Sequence, residues 1–100
     1  VEYVAVDPGL GFGKSCEGNL ALMCSLDRFL PLQCPLLVGA SRKSFIWKTL
    51  GLSVEESIGG SLAAAVLAAS SGAHLLRVHD VAQTLQAVRL AEAVMGKAGE

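Results

Sequence analysis

Apolar positions along the chain fall into three short runs, each followed by a longer stretch with helical spacing. Tyr3 to Val6 is apolar throughout and stops at Asp7-Pro8-Gly9, where proline and glycine end a strand and open a loop. From Asn19 onward, Leu20, Leu22, Met23, Leu26, Phe29 and Leu30 recur at the period of an amphipathic helix, with Asp27 and Arg28 available for its wet side. Pro35 then opens Leu36-Leu37-Val38, apolar at every position and closed by Gly39, the pattern of a strand buried on both faces. Beyond the segment Ser41 to Gly51, Ser53 and Glu56 stand in the relation of a capping box. They precede an Ala- and Leu-rich helix expected from about Val54 to Ser71, closed by Gly72. Its small residues Gly59, Gly60, Ala63, Ala64 and Ala68 suit close approach to a sheet. Leu75 to Val78 reads as a third strand, and Asp80 is placed to cap a third helix carrying Val81, Leu85, Val88, Ala91 and Met95 as far as Gly96.

Short apolar strands alternating with helices imply parallel pairing, because each crossover helix returns the chain to the same end of the sheet. Strands opening near Tyr3, Pro35 and Leu75 repeat every roughly 36 residues, and eight such units make roughly 290, the size of a (β/α)8 barrel with insertions. The expected fold class is therefore α/β, a (β/α)8 TIM barrel of which this chain supplies the last three β/α units. Residues 1–100 then form the C-terminal part of one barrel domain. A self-standing three-stranded α/β sheet is the competing architecture, and the fully apolar strands argue against it.

Composition supports that picture. With 52% hydrophobic residues in 100 and a mean hydropathy of +0.51, the chain carries more apolar surface than a small domain can cover by itself. A bilayer is no remedy, since the longest purely apolar run, Leu62 to Ala69, falls far short of the roughly 18 residues a spanning helix needs. Burial against further protein is the expectation. A net charge of −1 without a basic tract gives no reason to expect a nucleic-acid partner. Three cysteines, Cys16, Cys24 and Cys34, lack C-x-x-C spacing, which speaks against a zinc site or disulfide framework and for a reducing, cytoplasmic setting.

In parallel α/β folds the working face lies at the C-terminal ends of the strands. Each run here ends in polar residues at that edge: Asp7, then Ser41-Arg42-Lys43-Ser44, then Arg77-Val78-His79-Asp80. Strand alternation puts Leu75, Arg77 and His79 on one face and Leu76, Val78 and Asp80 on the other. A guanidinium within a parallel strand is costly unless an anion meets it, and its planar fork suits phosphate or a flat ring. Beside it, His79 is a donor for a phosphate oxygen, whereas His74 at the opposite end reads as a packing or surface residue. Asp7 is an acceptor-only carboxylate able to take two N–H bonds from a heterocycle. Lys43 offers an ammonium to an oxygen or ring nitrogen, and Ser41 a hydroxyl to a carboxylate. The loop Gly9 to Ser15 matches neither phosphate-binding glycine pattern, because Pro8 stands where the Walker motif needs glycine and its spacing is G-x-G-x-G. It is expected to be a flexible loop holding Phe12 over a ligand.

The segments VDPGLGFGKS, LLVGASRKSF, GGSLAAAVLAA and GAHLLRVHDV, in this order, closely resemble dihydropteroate synthase across almost the whole chain. The resemblance implies condensation of 6-hydroxymethyl-7,8-dihydropterin diphosphate with p-aminobenzoate, giving 7,8-dihydropteroate and pyrophosphate in folate biosynthesis, with Mg²⁺ assistance and its ligands outside this segment. It implies that sulfonamides compete at the aminobenzoate site and that a homodimer forms. By the same resemblance Asp7 reads the pterin's amino edge, Lys43 meets its carbonyl and ring nitrogen, and Gly39 lets the backbone approach. Arg77 stacks on the pterin and with His79 holds the diphosphate. Phe12 and Ser41 border the aminobenzoate, with Arg42 a weaker candidate there. Lys43, Arg77 and His79 are the expected catalytic groups, acting through charge and positioning without a covalent intermediate. The earlier strands of that family lie outside this sequence, so the isolated piece is expected to be inactive. A folate-binding methyltransferase barrel and a non-catalytic fragment serving only in assembly are the rival readings.

Overall fold

The computed structural model describes residues 7–11, 15–32 and 35–98, so the strand expected at Tyr3 to Val6 lies outside the described residues. The first helix, α1 (Cys16–Cys24), starts three residues earlier than its apolar spacing implies, because Ser15 caps it, its Oγ accepting the Gly18 N–H at 3.0 Å. The stretch expected as one helix is broken at Ser25, whose N–H reaches back only to Leu22 O at 3.0 Å. It continues as a 3₁₀ helix, Leu26–Leu32. Pro31, inside that run, has no N–H to offer an α-helical ladder, and the short tighter helix is the alternative.

Strand β1 (Leu37–Val38) and strand β2 (Leu75–Leu76) pair in parallel, Leu37 beside Leu75 and Val38 beside Leu76. Leu36 O accepts from the N–H groups of His74 and Leu75, and Val38 O accepts from Arg77 at 2.9 Å. His74 is structural, as its reading in sequence implies: its Nδ1 accepts the Leu36 N–H at 2.9 Å and secures the entry to β1. Leu36 and Val38 are buried, whereas Leu37 is only half-covered by the described residues.

Between the strands lie two helices. The shorter, α2 (Ser44–Leu50), was not anticipated from sequence. It buries Phe45 and Ile46 and ends at Gly51 in the left-handed conformation, φ 69°. The longer, α3 (Ile58–Ser70), starts four residues later than expected. The Ser53/Glu56 box does form, the Ser53 N–H donating to Glu56 Oε1 and the Glu56 N–H to Ser53 Oγ, each at 3.2 Å. It closes a separate turn instead of the helix start, because Ser57 folds back to Val54 O through both its N–H at 3.3 Å and its hydroxyl at 2.9 Å. Of the small residues on α3, Gly60 makes its close approach to α2 and not to the sheet: a Cβ there would lie 2.5 Å from Ile46 Cγ2 and 2.8 Å from Leu50 Cδ1. Ala64 and Ala68 are buried in the core, while Gly59 and Ala63 face outward.

Two donors on Ser53, its backbone N–H first and then its hydroxyl, which donates to Glu56 Oε1 at 2.9 Å, lower the Glu56 carboxyl below its ordinary 4.5. A depressed carboxylate contributes stability above its unfolded value and loses it as pH falls through the folded one, so this turn loosens only below about pH 4.5. Glu56 is expected to titrate below 4.5 by carboxyl NMR, and Ser53→Ala to raise that midpoint part of the way, since the backbone donor remains. An unchanged midpoint would show the hydroxyl to be idle.

The core joins Leu10, Leu26, Leu36, Val38, Phe45, Ile46 and the alanines of α3. Leu20, expected on the inward stripe of α1, is 43% exposed instead. Asn19 takes an inward position, 2% exposed, for reasons given below. The last helix, α4 (Val81–Ala98), packs on α3 with Thr84 buried, and its Thr84 N–H donates to Asp80 O at 2.9 Å. Val81, Leu85 and Met95 of this helix are exposed. Val81 and Leu85, with Leu76, Val78 and Val88, line a groove of about 190 Å³ that the described residues leave open. No helix among the described residues is long and apolar enough to cross a membrane.

Candidate active site

The parallel pairing of β1 and β2 sets the segments Gly39 to Lys43 and Arg77 to Asp80 side by side at the C-terminal strand edge. Beyond β2 the burial alternates as the sequence implies, with Arg77 and His79 exposed and Val78 and Asp80 half-buried. The Arg77 guanidinium lies across Gly39: a Cβ at that glycine would fall 2.9 Å from Nη2, 3.0 Å from Nε and 3.2 Å from Cζ. The absent side chain of Gly39 thus makes room for the arginine.

Next along the edge, Ser41 is buried and its Oγ lies 2.9 Å from His79 Nδ1. The same oxygen accepts the His79 backbone N–H at 3.3 Å. Where the hydroxyl donates to Nδ1, the neutral imidazole carries its own hydrogen on Nε2; in the other tautomer Nδ1–H donates to the same oxygen, which has a second lone pair to accept it. In the imidazolium Nδ1 donates to the hydroxyl and Nε2 is a donor as well.

Arg42 adopts φ 59°, the left-handed region, and the side chain leaves the edge in another direction. Its Nη2 pairs with Asp80 Oδ1 at 3.1 Å beside a cavity of about 290 Å³ lined also by Val54, Glu55 and Ile58. Lys43 is half-buried and stands before the first residue of α2. Gly11, at φ 86°, rests on it, a Cβ there falling 3.0 Å from Lys43 Cδ and 3.5 Å from Nζ. The loop carrying Asp7 is therefore lodged against Lys43. It is held from the other side by Asn19, whose Oδ1 accepts the Gly11 N–H at 2.8 Å while its Nδ2 donates to Ser15 O at 3.0 Å. Asp7 itself is exposed, its Oδ1 accepting the Gly9 N–H at 2.9 Å. Phe12 lies outside the described residues.

Gly39 with Arg77, Ser41 with His79, and the Asp7 loop with Lys43 are thus brought to one edge, and Arg42 is turned to Asp80. Sequence reading missed Asn19, taken only as the place where a helix begins. Its signal was a polar residue at the spacing of Leu22, Met23 and Leu26, the stripe that otherwise faces the core. Among the described residues no group of three or more His, Cys, Asp or Glu is arranged to hold a metal ion. The strand edge carries a guanidinium and an imidazole, with the Lys43 ammonium just before α2 and the Asp7 carboxylate on the loop against it, groups of the kind that meet an anionic group joined to a polar heterocycle.

Known proteins carry the same arrangement of chain. Dihydropteroate synthase of Escherichia coli (strain K12) is 48% identical over 94 residues, covering 94% of this chain and 33% of that protein. A crystal structure of the Yersinia pestis dihydropteroate synthase in a sulfonamide drug complex superposes with a TM-score of 0.88 at 41% identity, covering 93% of this chain and 34% of that one. The Xanthomonas albilineans dihydropteroate synthase in complex with 7,8-dihydropteroate gives 0.87 at 47% identity, covering 91% and 35%. The chain spans about a third of the length of the relatives it matches, and its fold is part of the TIM barrel of those enzymes. Residues 1–79 match the family described as pterin binding enzyme, and the chain belongs to that family.

Proposed function

We propose that this chain supplies the last three β/α units of a dihydropteroate synthase, which joins 6-hydroxymethyl-7,8-dihydropterin diphosphate to p-aminobenzoate and releases pyrophosphate. The observation that carries this reading is the placing of the Arg77 guanidinium and the Ser41-bound His79 imidazole side by side on the open face of one strand end. The identity to the Escherichia coli synthase and the dihydropteroate held by the Xanthomonas albilineans enzyme support it.

In the reaction the bond between the pterin methylene and the diphosphate oxygen breaks, its electron pair leaving on the oxygen. The amine nitrogen of p-aminobenzoate supplies the pair for the new C–N bond and then loses a proton. Arg77 and the His79 Nε2–H donate to the departing diphosphate, stabilising charge where it develops. Asp7 takes the amino edge of the pterin, Lys43 its carbonyl and ring nitrogen, and Phe12 borders the aminobenzoate. Ser41 does so too, and Arg42 is the outlying member of the set. Mg²⁺, when bound, would lessen the repulsion of the diphosphate. The described residues offer it no ligand cluster. A cytoplasmic setting is supported by the free thiols of Cys16 and Cys24, and a homodimer by the resemblance alone.

The test is a coupled measurement of pyrophosphate release and dihydropteroate formation by a full-length protein bearing this chain. Stoichiometric appearance of both products is expected, with inhibition by a sulfonamide and no turnover by the 100-residue chain alone. Methyl transfer from a methylated folate, with no pyrophosphate chemistry, would replace this reading by a methyltransferase one.

A further inference from the structure

Arg42 is the one residue other than glycine with positive φ among the described residues. A side chain in that region crowds the neighbouring carbonyl, so the conformation persists only where the surroundings hold it. Three contacts do so here. The Lys43 N–H donates to Ala40 O at 3.1 Å, closing a turn around Ser41 and Arg42. The Arg42 guanidinium pairs with Asp80, but its side chain is 48% exposed, and solvent screens such a pair. The third contact is part-buried: the Arg42 N–H donates at 3.0 Å to Ser61 Oγ, on a residue 6% exposed in α3. The more a polar bond is shielded from water, the more it costs to leave unmade, so this one outweighs the screened ion pair.

The residues flanking this peptide are not equally anchored. Lys43 is continuous with α2, its O accepting the Ile46 N–H at 3.0 Å, and its side chain lies under Gly11. Among the described residues, Ser41 is held by the turn and by its two bonds to His79, with no helix of its own. Relaxation of Arg42 towards negative φ would turn the preceding peptide plane and move Ser41, while Lys43 stayed. We propose that Ser61 is a positioning residue: by fixing the Arg42 peptide it aims the Ser41 hydroxyl at His79 Nδ1, and so sets which imidazole nitrogen faces the leaving group. The part concerning the leaving group rests on the synthase reading, whereas the part concerning the Ser61, Arg42, Ser41 and His79 contacts does not. Ser61 lies beneath the turn and touches no reacting atom.

The experiment is Ser61→Ala in the full-length protein, a change that removes one oxygen and improves helix propensity. Amide exchange at Arg42 is expected to quicken at least about tenfold, the loss of roughly 1.4 kcal/mol of protection. The ring ¹⁵N shifts of His79 should move from a single Nε2–H tautomer towards an average of two. With substrates, kcat should fall about tenfold and the KM for p-aminobenzoate rise by a similar factor. Affinity for a dihydropterin lacking the diphosphate should stay within about twofold, because Asp7 and Lys43 are held independently. Unchanged Arg42 exchange and His79 shifts would overturn the proposal, as would a loss in both substrates alike that tracks a lowered melting temperature. If the wild-type protein makes no dihydropteroate, the synthase reading falls, and the exchange and shift measurements still decide the role of Ser61.

Discussion

Arg77→Ala in the full-length protein is expected to lower kcat by about 10²–10³-fold, the usual effect of removing one preorganised donor from a site of developing charge. The substitution is well suited to isolating chemistry from folding. Arg77 is bound to the sheet by its backbone, whose N–H donates to Val38 O at 2.9 Å, and alanine keeps that bond. Its side chain lies exposed across Gly39, so truncation opens no cavity in the core. What is lost is a fixed, planar pair of donors beside His79. Affinity for a dihydropterin without the diphosphate should fall only several-fold if, as proposed, Arg77 gives it a stacking surface while Asp7 meets its amino edge. Arg77→Lys restores a charge without the fork, and its rate should lie between the two. Single-turnover measurements separate the chemical step from product release. A wild-type single-turnover rate in Arg77→Ala would remove this arginine from the mechanism.

That Arg77 and His79 share a face was legible from the two-residue period of a strand alone, and the alternating exposure from Leu75 to Asp80 bears it out. The parallel pairing of the second and third runs was equally legible, because the need for a crossover follows from the order of elements. What failed was local and had tertiary causes. The capping box at Ser53 and Glu56 forms its bonds, but Ser57, only 1% exposed, closes a turn before the helix can begin. Capping patterns report a turn, and only packing decides whether a helix continues from it. Helix α2 was not legible because it spans seven residues and buries only the adjacent Phe45 and Ile46, too few positions for a helical period to show. Leu85 and Met95 lie on one helix, α4, as the sequence implies, yet both are exposed, and periodicity alone does not report what covers a face. The Ser41 and His79 contact joins residues 38 apart and was invisible as a pair, although each was singled out. Ser61 escaped notice altogether, since a serine among alanines has no pattern until its partner is known.

Asp7→Asn is expected to weaken dihydropterin binding by roughly 100-fold while leaving the fold as it is. One carboxylate oxygen already accepts the Gly9 N–H at 2.9 Å, a turn that an asparagine oxygen closes equally well. The loop also keeps its other supports, the bond from the Gly11 N–H to Asn19 and the Lys43 stem beneath Gly11. The change therefore acts on the second oxygen, which becomes an NH₂ group. An ionised carboxylate accepts with both oxygens, and each bond to it contributes roughly 1.5–3 kcal/mol. Replacing one acceptor by a donor forfeits such a bond and sets donor against donor at the amino edge of the pterin. Rotating the amide by half a turn to present its oxygen to the pterin would break the Gly9 turn instead, so neither orientation restores both. Calorimetric titration with a dihydropterin lacking the diphosphate reads the loss, and a melting temperature within about two degrees of wild type shows the loop intact. Asp7→Ala, which gives up the turn as well, should lose the same affinity and some stability with it. Full affinity in Asp7→Asn would mean that the pterin is read elsewhere, and would leave Asp7 as nothing more than the residue that closes the turn at Gly9.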